Sequence, residues 1–437
     1  MKAIDRDILR LAVPALGALV AEPLFLLADT AMIGHLGADA LAGLGIASAV
    51  LQTVVGLLVF LAYATTPAVA RRLGSGDRAG AIRAGIDGMW LALLLGVALV
   101  VIGLPTVEAL VGAFGSTAQV GEEAHVYLSL SLWGIPAMLL VIAASGLLRG
   151  LQDTRTPLVV ATAGFGANIA LNAVLIYGLG WGIAGSAIGT VIAQWGMAAV
   201  YIVMAVRAAR STGAALRPGL RGVGGVAGSG AWLLLRTAAL RVAMLATVAV
   251  ASGLGVTELA TLQIAMTVFS TLAFALDALA IAGQAMIGHG LGASDVPRVT
   301  AVTRRLILHG LVSGLVLGAV IAALSPWLGF AFTGDTEVRA SIAPTLLVMA
   351  AGIPLAGYVF VLDGVLIGAG DARYLALTGL VNVAMYAPLL AWVALGHPEP
   401  TMPWLWLAFG FGYIGARALT LGLRARTTRW MVTGAAP

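Results

Sequence analysis

Residues 34–47 read GHLGADALAGLGIA, and residues 252–265 read SGLGVTELATLQIA; half of the aligned positions are identical at an offset of 218 residues. The same offset holds further along the chain. Leu73, Gly74 and Asp77 recur as Leu291, Gly292 and Asp295. Gly134-Ile135-Pro136 recurs as Gly352-Ile353-Pro354, and Gly150, Asp153 and Arg155 recur as Gly368, Asp371 and Arg373. One constant shift across separated landmarks identifies a tandem repeat that fills the chain.

Composition says where that repeat sits. Of 437 residues, 60% are hydrophobic and 10% charged, whereas a soluble domain carries about 25% charged residues. Mean hydropathy is +1.02. The chain is therefore a polytopic membrane protein. A span needs about 20 apolar residues, and twelve are expected, near 8–33, 44–70, 82–104, 125–148, 157–179, 183–207, 229–252, 257–287, 298–324, 342–367, 374–396 and 402–424. Each repeat unit then holds six. An even number gives both copies the same orientation, so their pseudo-two-fold axis runs along the membrane normal, an arrangement that suggests two lobes around a central cavity. The expected fold is all-α and integral to the membrane, with an N-lobe over 1–206, a C-lobe over 230–437 and a basic, Gly-rich cytoplasmic linker over 207–229 expected to be a flexible joint.

The net charge of +5 follows from topology rather than from nucleic-acid binding. Arg71, Arg72, Arg78 and Arg83, then Arg149 and Arg155, Arg207 to Arg221, Arg298 to Arg305, Arg373, and Arg417 to Arg429 fall between or beside alternate spans, with Lys2, Arg6 and Arg10 before the first. The opposite loops hold Asp39, Glu108, Glu122, Glu123, Glu258, Asp335, Glu337 and Glu399, with Arg339 as the exception. By the positive-inside rule both termini are cytoplasmic, in a membrane of the bacterial inner type. The absence of Cys excludes disulfides and thiolate metal sites. The five His residues, at 35, 125, 289, 309 and 397, show no metal-ligand spacing, and no nucleophile set points to an enzyme.

The informative residues are the charges inside apolar segments. Glu22 and Asp29 lie in the first span, seven residues apart on one helix face, with Pro23 between them. Every Lys and Arg of the N-terminal half falls outside the spans or within two residues of a span end, so none lies at depth to neutralise them. Unpaired acids in a membrane are costly and mark ion pathways or proton relays; away from water a carboxyl holds a proton more readily. Asn168 and Asn172 share a face of span 5, Thr190 and Gln194 a face of span 6, and Ser145 lies in span 4. Their uncharged oxygens can orient a carboxyl or coordinate a small cation, although polar side chains also bind membrane helices together. Glu22, Gln194, Gln52 and Tyr63 are the candidates for lining a substrate cavity. In the C-terminal half, Arg241 and Asp277 have similar depth, as do Arg236 and Asp363; two structural ion pairs are expected, with titration of Asp277 or Asp363 as the alternative.

Three stretches give a resemblance. LADTAMIGHLG (27–37) resembles the first-helix signature of the multidrug and toxic compound extrusion (MATE) family, GLLRGLQDT (146–154) resembles its loop after span 4, and YVFVLDGVLIGAGD (358–371) is similar to the DinF-like branch. The resemblance implies cation-coupled export of amphipathic, often cationic, compounds by alternating access. It implies that Asp29 is the coupling residue and that Ser145, Asn168, Asn172 and Thr190 share its pocket. Two departures favour protons over sodium as the coupling ion: Asn172 stands where an Asp is frequent, and 233–252 holds no acid. No cofactor is implied, and the protein is expected to act as a monomer. A flippase for a lipid-linked precursor is the alternative; its strongly basic cavity does not match the acidic and neutral candidates here. A sodium-coupled antiporter is the other.

Overall fold

The computed structural model describes residues 2–396 and 401–435; His397 and Glu399 lie outside the described residues. Twelve helices long and apolar enough to cross a membrane are present among them: α1 (Ala3–Gly34), α2 (Ala38–Gly74), α3 (Arg78–Gly112), α4 (Ala118–Gly150), α5 (Arg155–Gly178), α6 (Gly182–Thr212), α7 (Leu220–Leu254), α8 (Val256–Gly292), α9 (Val296–Phe332), α10 (Thr336–Gly368), α11 (Ala372–Gly396) and α12 (Met402–Ala425). Helices are the outcome physics requires, because lipid offers no partner for a free backbone N–H or C=O. All run past the minimum for a span, from 24 to 37 residues, so they tilt or extend beyond the hydrocarbon. Interruptions stay local. α2 has a turn at Val59, α4 tightens into a 3-10 turn at Leu132–Gly134 just before Pro136, and α5, α11 and α12 contain π-helical stretches.

The repeat is visible in backbone detail. α2 and α8 begin 218 residues apart, as do α4 and α10. Asp77 and Asp295 cap α3 and α9 alike, accepting from the N–H of Gly80 and Arg298 at 2.7 and 3.0 Å. Left-handed backbone recurs at 76/294 (φ 84° and 58°) and at 152/370 (φ 62° and 76°), with Gly76 answered by Ser294 and Gln152 by Gly370. The turn demands this conformation and only one copy of each pair supplies a glycine. A non-glycine residue there costs about 1–2 kcal/mol, while glycine costs about 0.5–1 kcal/mol in unfolded-chain freedom. Ser294→Gly is accordingly expected to stabilise by less than ~1 kcal/mol, read as a small rise in melting temperature.

Close helix packing repeats as well. A Cβ on Gly146 would lie 3.0 Å from the Ala62 Cα, and one on Gly364 would lie 2.6 Å from the Ala280 Cα. The α2–α4 and α8–α10 pairs therefore approach backbone to backbone, as small residues permit within membranes.

The chain divides into two compact units, one of Val13–Gly230 and one of Ala231–Ala435 joined by the N-terminal residues up to Ala12. The division cuts α1 and α7 at equivalent points, 12/13 and 230/231. In the second unit Ile8 and Leu11 are buried. Asp5 lies 3.9 Å from both Arg305 Nε and His309 Nε2, and Asp7 lies 3.8 Å from Arg298. These pairs are partly exposed and weak, so the apolar contacts carry most of the attachment.

In the first unit the start of α7 docks on α3. Gly219 N–H donates to Asp87 Oδ1 at 2.8 Å, and Trp90 Nε1–H donates to the Leu216 carbonyl at 2.9 Å. The expectation of a flexible joint over 207–229 is corrected by this geometry. Residues 207–212 complete α6, residues 220–229 open α7, and the short connection between them is bonded at both Leu216 and Gly219. Glycine content misleads here, because glycine in a membrane helix serves close packing as well as freedom.

Candidate functional site

Asp29 sits in the C-terminal half of α1 and is 3% exposed. Three helices direct donors at it. Ser186 Oγ of α6 donates to Oδ1 at 2.6 Å, Asn172 Nδ2 of α5 donates to the same oxygen at 2.9 Å, and Tyr127 Oη of α4 donates to Oδ2 at 3.2 Å. Asn172 Nδ2 also lies 3.3 Å from Ser186 Oγ. One turn along α5, Asn168 Nδ2 donates to Thr190 Oγ1 at 2.9 Å. The local sequence explains the convergence. Asn168 and Asn172 are four apart, as are Ser186 and Thr190, so each helix presents two polar groups on one face. Phe25 stacks on Phe165 at 5.0 Å and 8°, packing α1 to α5 one turn away from the carboxylate.

Three polar groups lie within hydrogen-bond reach of the carboxyl oxygens. Oδ1 accepts twice and Oδ2 once, which leaves Oδ2 the capacity for a further partner. Among the described residues no cation pairs with Asp29. Two buried amide oxygens, Asn168 Oδ1 and Asn172 Oδ1, have no hydrogen-bond partner. The Asp29 carboxylate orients the Asn172 amide, whereas the Thr190 hydroxyl can meet either end of the Asn168 amide. One carboxylate surrounded by hydroxyl and amide oxygens suits a hard, singly charged ion: a proton on the carboxylate, or a small alkali cation shared with the free oxygens.

Of the five residues expected around the coupling ion, the structure brings Asp29, Asn168, Asn172 and Thr190 together. Ser145 is a correction. It lies 18 residues from Tyr127 on α4, about 27 Å along the helix, and its hydroxyl instead meets Tyr201 Oη at 3.4 Å. Tyr127 and Ser186 were not anticipated. Ser186 was legible as the next member of the 190/194 face of α6. Tyr127 gave no signal beyond its place near the N-terminal end of its span. Of the cavity candidates, Glu22 and Gln52 are exposed, Tyr63 is half-buried, and Gln194 Nε2 reaches the Met138 sulfur at 3.8 Å; none joins the Asp29 cluster.

The second repeat has no equivalent acid. The counterpart of Asp29 is Thr247, buried and bonded to Tyr386 Oη at 2.8 Å. A buried carboxylate of this unit is Asp363 on α10. Arg236 of α7 grips it with two nitrogens, and Arg417 of α12 approaches Oδ1 at 3.3 Å. Side-chain exposures of 9 to 11% make this a buried triad. The expected Arg236–Asp363 contact is thus present, with Arg417 as a third member placed inside α12 rather than beyond it. The expected Arg241–Asp277 pair is a correction: Arg241 is exposed and makes no ion pair among the described residues. Five residues turn an α-helix by about 140°, so when Arg236 faces Asp363, Arg241 points elsewhere. Asp277 is half-buried on α8.

Comparison with known proteins agrees with this architecture. The MatE family model matches residues 14–174 and 233–393, one match in each repeat. Protein DETOXIFICATION 43 of Arabidopsis thaliana is 30% identical over 95% of this chain and 89% of its own length. DNA damage-inducible protein F of Escherichia coli is 26% identical over 95% and 91%. A MATE crystal structure in the bent conformation superimposes with a TM-score of 0.88 at 22% identity, over 97% of this chain and 95% of that one; the straight conformation gives 0.87. The two-fold match, the relatives over nearly full length and the twelve-helix fold lead to one statement: this chain belongs to the MatE family of multidrug and toxic compound efflux transporters.

Proposed function

We propose that the protein is a proton-coupled antiporter that exports amphipathic, often cationic, compounds by alternating access. The observation that carries the reading is Asp29, a buried carboxylate held by donors from three other helices with no cationic partner among the described residues. In the outward-facing carrier Asp29 takes a proton from outside, substrate affinity falls, and release of that proton inside resets the carrier. The proton enters at Oδ2, the oxygen with spare capacity, and the Tyr127 hydroxyl turns to accept rather than donate. That exchange alters what holds α1 in place, which is how ion binding changes the conformational balance. One charge entering through 100 mV supplies about 2.3 kcal/mol, enough to sustain a roughly fifty-fold substrate gradient at 1.4 kcal/mol per decade.

The two free oxygens at Asn168 and Asn172 favour a second reading, sodium coupling, in which the ion bridges them to Asp29. A flippase for a lipid-linked precursor gains no support from a neutral and acidic site. The arginine distribution supports cytoplasmic termini and a plasma (inner) membrane location, the carrier acting as a monomer within the lipid. The test is dye efflux from reconstituted vesicles with pH and sodium gradients imposed separately. Efflux driven by the pH gradient alone is expected; efflux driven by sodium alone, with pH clamped, refutes proton coupling in favour of the second reading.

A further inference from the structure

α1 ends just beyond its carboxylate, and three of its last four carbonyls have an identifiable partner. The last carbonyls of a helix outrun their intrahelical donors and need others. The Ala31 carbonyl meets His35 Nδ1 at 2.6 Å, and the Ile33 carbonyl accepts from the Leu36 N–H at 2.9 Å. The Met32 carbonyl accepts from Tyr177 Oη at 2.7 Å. The first two partners are local to α1. Tyr177 comes from α5, and it belongs to the π-helical stretch Val174–Gly178.

That stretch has a geometric purpose. Tyr177 is five residues after Asn172, and five residues of α-helix rotate by about 140°, which would turn Tyr177 away from α1 while Asn172 faces it. A π turn, with i→i+5 bonding, takes more residues per turn. It brings Tyr177 round toward the Asn172 face. The turn is supported from α6, where a Cβ on Gly185 would lie 2.9 Å from the Leu175 carbonyl carbon, leaving no room for a side chain. The residue after Gly185 is Ser186. The α5–α6 hairpin thus reaches α1 with three donors: Asn172 and Ser186 on Asp29, and Tyr177 on a carbonyl three residues further along.

We propose that Tyr177 is a positioning residue for the coupling site: through its hydroxyl on the Met32 carbonyl, the π turn of α5 pins the outer end of α1 and so fixes the Asp29 carboxylate among its donors. The proposal rests on the reading of Asp29 as the coupling residue. Tyr177 touches neither the ion nor the carboxylate. Its ring is half exposed, so Tyr177→Phe removes the hydroxyl and little packing.

Two measurements on Tyr177→Phe, purified and reconstituted, test it. Hydrogen exchange of the segment 27–36 is expected to accelerate. The half-saturating concentration of the driving cation, read from efflux of a fluorescent cationic dye, is expected to shift about five-fold, with a smaller change in maximal rate. Tyr374→Phe is the control, because Tyr374 Oη also donates to a backbone carbonyl, that of Thr420 at 2.7 Å, but in the other unit. Its cation profile is expected to match wild type. Unchanged exchange in Tyr177→Phe overturns the pin. Faster exchange with a wild-type cation profile overturns the positioning role while leaving Asp29 as the coupling residue, provided Asp29→Asn has lost coupling. An equal shift in Tyr374→Phe overturns it too, since the effect would then be general destabilisation. If Asp29→Asn keeps coupling, the underlying functional reading fails, and the positioning role with it.

Discussion

Asp29→Asn is expected to yield a folded, membrane-inserted protein whose dye efflux no longer responds to an imposed cation gradient. Asparagine is close to isosteric with aspartate. Its oxygen can still accept from Ser186 and Asn172, and its amide nitrogen can donate to a reoriented Tyr127 hydroxyl. The exchange of charge-assisted bonds for neutral ones costs about 1–2 kcal/mol, which a twelve-helix bundle absorbs. What disappears is the capacity to bind and release a proton, and with it the coupling. Gradient-driven efflux should fall to the rate of protein-free vesicles, while the melting temperature of the purified variant moves by only a few degrees. Full proton-driven efflux by the variant would refute the assignment. A failure to fold would indicate instead that Asp29 is needed for packing, and Asp29→Glu would separate the two, since it keeps the titrating group and disturbs the geometry.

The second large effect concerns Asp363. Removing this carboxylate leaves Arg236 and Arg417 facing each other in a site where each side chain is about one-tenth exposed. Breaking a buried ionic contact from one side costs about 3–5 kcal/mol. Asp363→Ala is therefore expected to accumulate poorly or to melt far below wild type. Replacing all three residues by apolar groups of similar volume, Asp363→Leu with Arg236→Met and Arg417→Met, should recover much of the loss, since a buried ionic cluster often contributes little net stability over a packed one. A thermal melt of each variant in detergent decides the matter. If Asp363→Ala melts with wild type while its transport is lost, Asp363 is a functional carboxylate and not a strut.

The contrast between these two acids shows how much the sequence could disclose. The span boundaries were legible because apolar length and alternate arginine loops constrain them jointly, and the 218-residue offset carried over to caps, turns and helix starts. Asp29 was legible because a charge without a countercharge in an apolar run is conspicuous. Its partners were legible only in part. Asn168, Asn172 and Thr190 announced themselves by four-residue spacing, whereas Tyr127 is an aromatic residue near a span end, where tyrosines are common for other reasons. Ser145 shows the opposite error: a polar residue on the right helix at the wrong level. Arg417 was assigned to the basic tail because it falls in a series with Arg424, Arg426 and Arg429, and only the packing of α12 against Asp363 separates it from them. Depth alone suggested Arg241 with Asp277. Depth says nothing about azimuth, and the rotation between positions 236 and 241 excludes a shared direction.

The division of α1 and α7 between the two units bears on how the molecule can be made. A gene split in the 213–219 connection would encode two polypeptides, neither with all the material for its own half: the second would lack the dozen residues that bring Ile8 and Leu11 into its core, and the first would lack residues 220–230, the opening of α7. Such fragments should mature only when produced together. On the ribosome, too, the latter half is completed by a strip of helix synthesised some two hundred residues before its own first turn, so the two halves are expected to finish folding only together.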